Sequence, residues 1–225
     1  VEGHWSGILF GSTLTPVLRV SWATFGERCI FHFAFLFFVG LIGRLGNVAM
    51  AANQSLIAIE SLGFILASGF SIAAGSLMAQ KLGAGLAEDA GACGWIAAGL
   101  AFAVLSMVGA LFWFLPEPLI KMISDDPQVL DLGVDCLKIA AIAQPLMGVT
   151  DALSGGLRGA GDTRNPMIVS FIGPLCIRLA ACWILAFPMG YGLVGIWVGT
   201  TLDWAVRTVL IIYIFQKGRW RTIKV

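Results

Sequence analysis

Six long apolar segments constrain the fold of this chain more than any other feature of its sequence. Each segment spans 21 to 32 residues, and about 20 apolar residues suffice for a helix to cross the hydrocarbon core of a bilayer. Charged side chains make up only 12% of the sequence, about half the share of a typical soluble domain. The segments are Val17–Ile42, Val48–Ala79, Ala92–Leu115, Gly133–Leu157, Met167–Phe187 and Leu193–Gln216.

This pattern predicts an all-α polytopic membrane protein, folded as a bundle of six transmembrane helices. A soluble helical protein of 225 residues cannot bury so many apolar segments without lipid. A membrane β-barrel would alternate polar and apolar residues, and the sequence lacks that alternation. We therefore expect residues 17–216 to form one six-helix lobe, preceded by residues 1–16 and followed by a basic cytoplasmic tail, 217–225.

The basic residues between the segments predict the orientation of the helices, because cytoplasmic loops are enriched in Lys and Arg. Arg44 and Lys121 lie on one predicted side, and seven basic residues lie on the other. We expect an integral protein of the cell (inner) membrane, with both ends of the chain in the cytoplasm. The seven residues are Lys81, Arg158, Arg164, Lys217, Arg219, Arg221 and Lys224.

Several functions are disfavoured by composition and motifs. The net charge of +1 gives no reason to expect a nucleic-acid partner. The two histidines and five cysteines do not show the spacing of a metal site. Neither a phosphate-binding GxxxxGK[ST] loop nor a GxSxG nucleophile turn occurs. We expect no enzyme activity, no catalytic residues and no metal or cofactor, and we interpret a chain that starts at Val1 as a piece of a longer protein.

Acidic residues inside the apolar segments are the leading candidates for function, because a charge in the middle of a membrane costs about 2.5–3.5 kcal/mol or more. Glu27 lies inside the first segment, beside Arg28, and neighbouring helical side chains point about 100° apart. Asp151 follows Pro145, which is expected to bend the fourth span, as in many transport sites. We predict that Glu27 and Asp151 bind a coupling ion or proton. An interhelical hydrogen bond for Glu27 and an interfacial position for Asp151 are the alternatives.

Other polar side chains in the spans are candidates for a substrate cavity. Asn53 and Glu60 are seven residues apart and fall on one helical face, with Gln54 next to them. His32 lies in the aromatic run that ends the first segment. We predict that these four residues line a polar cavity, and hydrogen bonding between helices is the alternative.

The last segment contains Asp203 and Arg207 at a spacing of four residues, which suits a structural ion pair along one helix. Arg178 in the fifth segment has no acidic residue at such a spacing. It is expected to pair with an acid on another helix, which the sequence does not identify.

Several stretches together resemble the second half of the multidrug and toxic compound extrusion (MATE) transporters. The most specific is GGLRGAGDTRNP, residues 155–166. In the stretch GNVAMAANQSLIAIESL, Asn53 stands where a histidine is common in that family. The other matching stretches are QKLGAG at 80–85, SDDPQVLDLGVDCLKIAA at 124–141 and YGLVGIWVGT at 191–200.

The resemblance implies a transporter of twelve spans in two six-helix lobes, of which this chain is the second. Residues 1–16 would then connect the lobes, and the missing N-terminal lobe would be a partner, with the lipid bilayer and a small-molecule substrate. Such a protein exports cationic or amphipathic compounds in exchange for Na⁺ or H⁺ by alternating access. Glu27 matches an acid in the family's seventh helix, and Asp151 lies in its tenth.

Two other functions stay open from the sequence. A lipid-linked oligosaccharide flippase or polysaccharide exporter of related fold would have a larger cationic cavity, with Arg28 and Arg178 facing inward. A non-transporting membrane subunit would carry the same spans for assembly alone.

Overall fold

The computed structural model describes Phe25, Cys29 and residues 32–222, apart from the side chain of residue 222. Two residues named above, Glu27 and Arg28, lie outside the described residues, and so does the predicted segment 1–16. Every regular element in the described part of the chain is a helix, as the hydropathy pattern predicts.

The helices follow one another with short connections. They are α1 (His32–Gly43), α2 (Asn47–Gly83), α3 (Ala87–Phe114), α4 (Pro116–Lys121), α5 (Pro127–Gly159), α6 (Arg164–Phe171), α7 (Leu179–Ala186) and α8 (Gly192–Lys217). A π-helical segment, Ile172–Arg178, joins α6 to α7 without a break, and a 3₁₀ turn, Arg219–Thr222, follows α8.

Five of these helices are long and apolar enough to cross a membrane, counting only the described residues. They are α2, α3, α5, α8 and the continuous helix Arg164–Ala186, and they correspond to the second to sixth predicted spans. The first predicted span is described at Phe25 and Cys29 and in its second half, where it forms the apolar helix α1. The helices are longer than the apolar segments because hydropathy marks the lipid-facing length, whereas a helix continues until its backbone is capped.

The start of α5 illustrates this difference. The sequence predicts a span from Gly133, but α5 begins six residues earlier, at Pro127. The carboxylate of Asp126 accepts a hydrogen bond from the backbone N–H of Gln128 at 2.9 Å and caps the helix. Proline at the first helical position has a suitable φ and lacks an N–H that would need a partner. The polar first turns of α5 therefore extend beyond the predicted span.

Helix α5 is the centre of the bundle and packs against α2, α3 and α8. Glycines allow the closest of these contacts. A side chain at Gly159 would overlap the backbone of Gly75 on α2, and one at Gly155 would overlap Ser71. Small residues at such crossings let helices approach closely in lipid, where packing replaces the hydrophobic effect as the attraction between helices. Pro145 lies inside α5, which continues past it to Gly159.

Two glycine turns end α2 and α5 in the same way. The backbone N–H of Leu86 donates to Lys81 O at 2.9 Å, and that of Asp162 donates to Leu157 O at 2.9 Å. The residues before them, Gly85 and Gly161, have φ values of 76° and 84°, in the left-handed region that glycine adopts without strain. The similar sequences KLGAG and LRGAG thus form equivalent helix ends.

The end of α8 is held by an aromatic side chain. Trp220, in the 3₁₀ turn, is 1% exposed and donates from Nε1 to Phe215 O at 3.0 Å. Its ring packs on that of Phe215, with centroids 5.2 Å apart. The described part of the predicted tail is therefore folded onto the helical bundle.

Candidate functional site

A buried group of charged side chains lies near the middle of the helices. The carboxylate of Asp203 on α8 is fully buried and contacts two guanidinium groups. Arg178 donates from Nε to Asp203 Oδ2 at 2.8 Å, and Arg207 donates from Nη2 to the same oxygen at 2.7 Å. The contact between Arg207 and Asp203 lies along α8, as their spacing of four residues predicts. The contact between Arg178 and Asp203 joins α8 to the π-helical segment.

The surrounding residues hold these two arginines in place. Gly173, in the π-helical segment, has no side chain, and a Cβ there would overlap both Asp203 and Arg207. The guanidinium carbon of Arg207 lies 3.7 Å from the centre of the Trp204 ring, a cation–π contact. Arg178 lies over Phe38 of α1 at 6.0 Å. Local π-helical turns often occur at functional sites, and this one brings Arg178 to α8.

Two further polar side chains complete this region, which we call the polar centre: Glu60, Gln144, Arg178, Asp203 and Arg207. Glu60 on α2 is 6% exposed, and both arginines act on it electrostatically. Gln144 on α5 is fully buried. Its side chain occupies the space that a Cβ at Gly63, one turn beyond Glu60 on α2, would fill.

Several atoms of the polar centre have no hydrogen-bond partner within residues 32–222. They are Glu60 Oε1, both side-chain amide atoms of Gln144, Asp203 Oδ1 and Arg207 Nε. A buried polar group without a partner costs about 1–3 kcal/mol, so the bundle keeps these groups at the expense of stability. Such a cost is typical of functional sites in membrane proteins.

Asp151 on α5 lies on the cytoplasmic side of the polar centre in the predicted orientation. It is half-buried, and Arg207 acts on it electrostatically, followed by Arg158. Its neighbour Thr150 is hydrogen-bonded to Thr208 of α8, with the hydroxyl oxygens 2.9 Å apart. The structure thus brings Asp151 into the electrostatic environment of Arg207.

The four predicted cavity residues do not lie together. Asn53 is fully buried inside the lobe, two helical turns before Glu60, and neither atom of its amide has a partner in the part of the chain that the structure describes. Gln54 is exposed on another face of α2, and His32 is exposed at the start of α1. Asn53 and Glu60 are both buried, whereas Gln54 points in another direction, because successive helical residues diverge in direction. The predicted role of these residues in a cavity stays a prediction.

Sequence reasoning missed Gln144 as a site residue and left the partner of Arg178 open. A glutamine in a long apolar helix carries little signal on its own. Arg178 and Asp203 are 25 positions apart in the sequence, too far for a helical spacing to predict their contact. The flippase alternative predicts that Arg178 faces a cationic cavity. In the structure, the guanidinium group of Arg178 instead forms an ion pair with Asp203 inside the lobe.

A family model and individual relatives identify the same family for this chain. The family model described as MatE matches residues 23–184. A probable multidrug resistance protein NorM of Thermotoga maritima is 32% identical over 93% of this chain and 45% of its own length. One of the same name from Brucella suis is 34% identical over 87% of this chain and 41% of its own. The chain thus spans less than half the length of these relatives.

Solved structures share the fold. A MOP superfamily transporter from Pyrococcus furiosus superposes with a TM-score of 0.83 at 19% identity, covering 90% of this chain and 45% of that chain. The outward-facing conformation of a multidrug resistance MATE family transporter superposes with a TM-score of 0.81 at 19% identity, covering 88% and 44%. At this level of identity the likeness establishes the helical-bundle fold.

Proposed function

Because this chain belongs to the MatE family, we propose that it is the C-terminal lobe of a secondary active transporter that exports cationic or amphipathic small molecules. The observation that carries the proposal is its similarity to two proteins named for multidrug resistance, over 93% and 87% of its length. The chain is an integral membrane protein with five described membrane-spanning helices, and its buried charges suit a transport role.

The proposed mechanism is exchange of substrate for Na⁺ or H⁺ by alternating access. The coupling cation binds at Glu27 or Asp151 and competes with substrate, and a ligand that binds one state better shifts the protein toward that state. The missing N-terminal lobe forms the other wall of the cavity, as in transporters built from two repeated units. Exposed polar residues such as Gln54 are candidates for that shared cavity. We place the protein in the inner membrane, with both ends of this lobe in the cytoplasm.

The test uses the full-length transporter in proteoliposomes, with an imposed Na⁺ or H⁺ gradient and a fluorescent cationic substrate. Glu27→Gln keeps the size of the side chain but removes its charge, so we expect gradient-driven efflux to be lost while membrane insertion is unchanged. The matched control is Glu88→Gln, since Glu88 is exposed in the first turn of α3, and this variant should transport normally.

Normal efflux by the Glu27→Gln variant would exclude Glu27 as the coupling residue. Transfer of a lipid-linked oligosaccharide across the vesicle membrane, without efflux of cations, would replace the proposal by the flippase function. Stable association with another membrane protein, without movement of any solute, would identify a non-transporting subunit.

A further inference from the structure

A cavity opens at the predicted extracytoplasmic end of α3, between this helix, α4 and α5. Its volume is about 500 Å³. Aromatic side chains of α3, the first turn of α4 and one face of α5 line it, and none of the five residues of the polar centre does. The lining includes Trp113, Phe114, Glu117, Val134 and Lys138.

Lys138 is the unusual residue of this cavity, because it carries a charge inside a predicted span. It is half-buried on α5, in the span that the sequence predicts to begin at Gly133. Among the described residues, no hydrogen bond or ion pair reaches its Nζ. A charged side chain within a span is costly and is normally paired. Lys138 therefore requires an anion that the described part of the lobe does not supply.

The packing of α3 against α5 shows how deep this lysine lies. A Cβ at Gly109 of α3 would overlap the backbone carbonyl of Ala141, and one at Gly148 of α5 would lie 3.0 Å from Ala101 O. The two helices are therefore antiparallel, and Lys138, one turn before Ala141, is level with the last turn of α3. Its ammonium group thus lies at the depth of the aromatic residues that end α3.

The cavity also contains a carboxylate, which lies closer to water than Lys138. Glu117 is in the first turn of α4, beyond the end of α3, and its side chain is 61% exposed. Its Oε2 is 3.9 Å from Lys121 Nζ, a long and exposed ion pair of the kind that contributes little. Asp135, one turn before Lys138 on α5, is exposed as well. The site thus presents a positive charge inside and negative charges outside.

The aromatic residues and the outer face of α3 indicate which molecule can match these charges. Trp113 is 47% exposed and Phe114 is 77% exposed, and tryptophan is enriched where the hydrocarbon meets the lipid headgroups. From the cavity toward the other end of α3, an exposed stripe of apolar side chains continues at helical spacing. The stripe consists of Leu111, Met107, Ala103, Leu100 and Ile96. Acyl chains fit such a stripe, whereas a soluble anion would make no use of it.

We propose that this cavity binds the headgroup of a phospholipid that carries both a phosphate and an amine, as phosphatidylethanolamine does. The phosphate, next to the glycerol, accepts hydrogen bonds from the ammonium group of Lys138. The amine, at the outer end of the headgroup, donates to the carboxylate of Glu117. The acyl chains follow the apolar stripe of α3. This site needs only the fold and a bilayer, so it does not depend on the proposed transport function.

The test measures phosphatidylethanolamine binding to the full-length transporter by native mass spectrometry, after the co-purified lipid has been removed in detergent. Lys138→Gln should lower the affinity about fivefold, the contribution of one lysine near an anionic lipid group. Lys138→Arg keeps the charge and should bind as the wild-type protein does. The matched control is Lys81→Gln, which removes an exposed lysine paired with Asp89 at the end of α2 and should leave the affinity unchanged.

Two further ligands distinguish the parts of the site. Phosphatidylglycerol has the phosphate but lacks the amine, so Glu117→Gln should weaken binding of phosphatidylethanolamine alone, whereas Lys138→Gln should weaken binding of both lipids. Glycerophosphoethanolamine has the headgroup without acyl chains and should not displace the bound lipid at millimolar concentration.

Three results would overturn the proposal. Unchanged affinity of Lys138→Gln for phosphatidylethanolamine would exclude the lysine as the phosphate ligand. Equal loss of both lipids in Glu117→Gln would exclude the carboxylate as the partner of the amine. Displacement of the lipid by glycerophosphoethanolamine would replace the phospholipid by a soluble phosphate compound as the occupant of this cavity.

Discussion

Asp203 is the residue on which the charged interior of this lobe depends. Its carboxylate is fully buried, and both guanidinium groups bind the same oxygen, Oδ2. Two arginines in such a position are tolerated because an anion compensates them, and removal of one partner of a buried ion pair costs about 3–5 kcal/mol. Asp203 is therefore an anchor of the fold as well as a member of the polar centre.

We predict that Asp203→Asn strongly lowers the melting temperature of the full-length transporter in detergent, because it leaves the buried Arg207 and the partly buried Arg178 without their carboxylate. Asp125→Asn, at an exposed position between α4 and α5, should have little effect. In a double-mutant cycle, Asp203→Asn with Arg207→Gln should be less destabilising than the sum of the single changes. Additive losses would show that the two side chains do not interact.

At the scale of single residues, sequence reasoning succeeded where two side chains share a helix. Asp203 and Arg207 are four residues apart on one helix, so their contact follows from helical geometry. The contact of Arg178 with Asp203 depends on how the fifth and sixth predicted spans pack, and no local pattern encodes it. Gln144 joins the polar centre for the same reason: Gly63 on another helix leaves room for it. The predicted roles of Glu27, Asp151 and Glu60 stay predictions.

At the scale of helices, hydropathy predicted six spans. Five of them correspond to α2, α3, α5, Arg164–Ala186 and α8, with ends that differ by a few residues, and the first is described only in part. Apolar length is a property of composition, so a sequence reveals it directly. The π-helical segment was not predicted, because a shift of backbone hydrogen bonds from one register to another leaves the hydropathy unchanged. The π-helical hydrogen bonding positions Arg178 next to α8. Hydropathy therefore could not predict this part of the site.

The turn after α2 gives a prediction at the same scale. Gly85 has a φ of 76°, which costs a residue with a side chain about 1–2 kcal/mol. Gly83, two residues earlier, is helical, and a Cβ there meets open space. We expect Gly85→Ala to lower the melting temperature, and Gly83→Ala to leave it unchanged or raise it, since alanine is favoured in helices by about 1 kcal/mol. Equal effects of the two substitutions would contradict the role of the turn.

At the scale of the whole molecule, the distribution of basic residues predicts the orientation in the membrane. In the predicted topology the connection between α3 and α5 is extracytoplasmic, whereas the turn between α5 and α6 is cytoplasmic. A reporter that is active only outside the cytoplasm should therefore be active when fused after Asp126 and inactive when fused after Asp162. The opposite result at both positions would invert the topology and place both ends of this lobe outside the cytoplasm.

The contact between α2 and α5 at Gly75 and Gly159 restricts how such a lobe deforms. At Gly75 and Gly159 the two backbones meet with no side chain between them, so sliding there would open a gap that no neighbouring side chain fills. We expect this pair to move as one rigid body during any opening and closing. In the proposed transport cycle, we therefore expect the parts that open to either side of the membrane to lie at the margin of the bundle, where α2 and α5 do not touch.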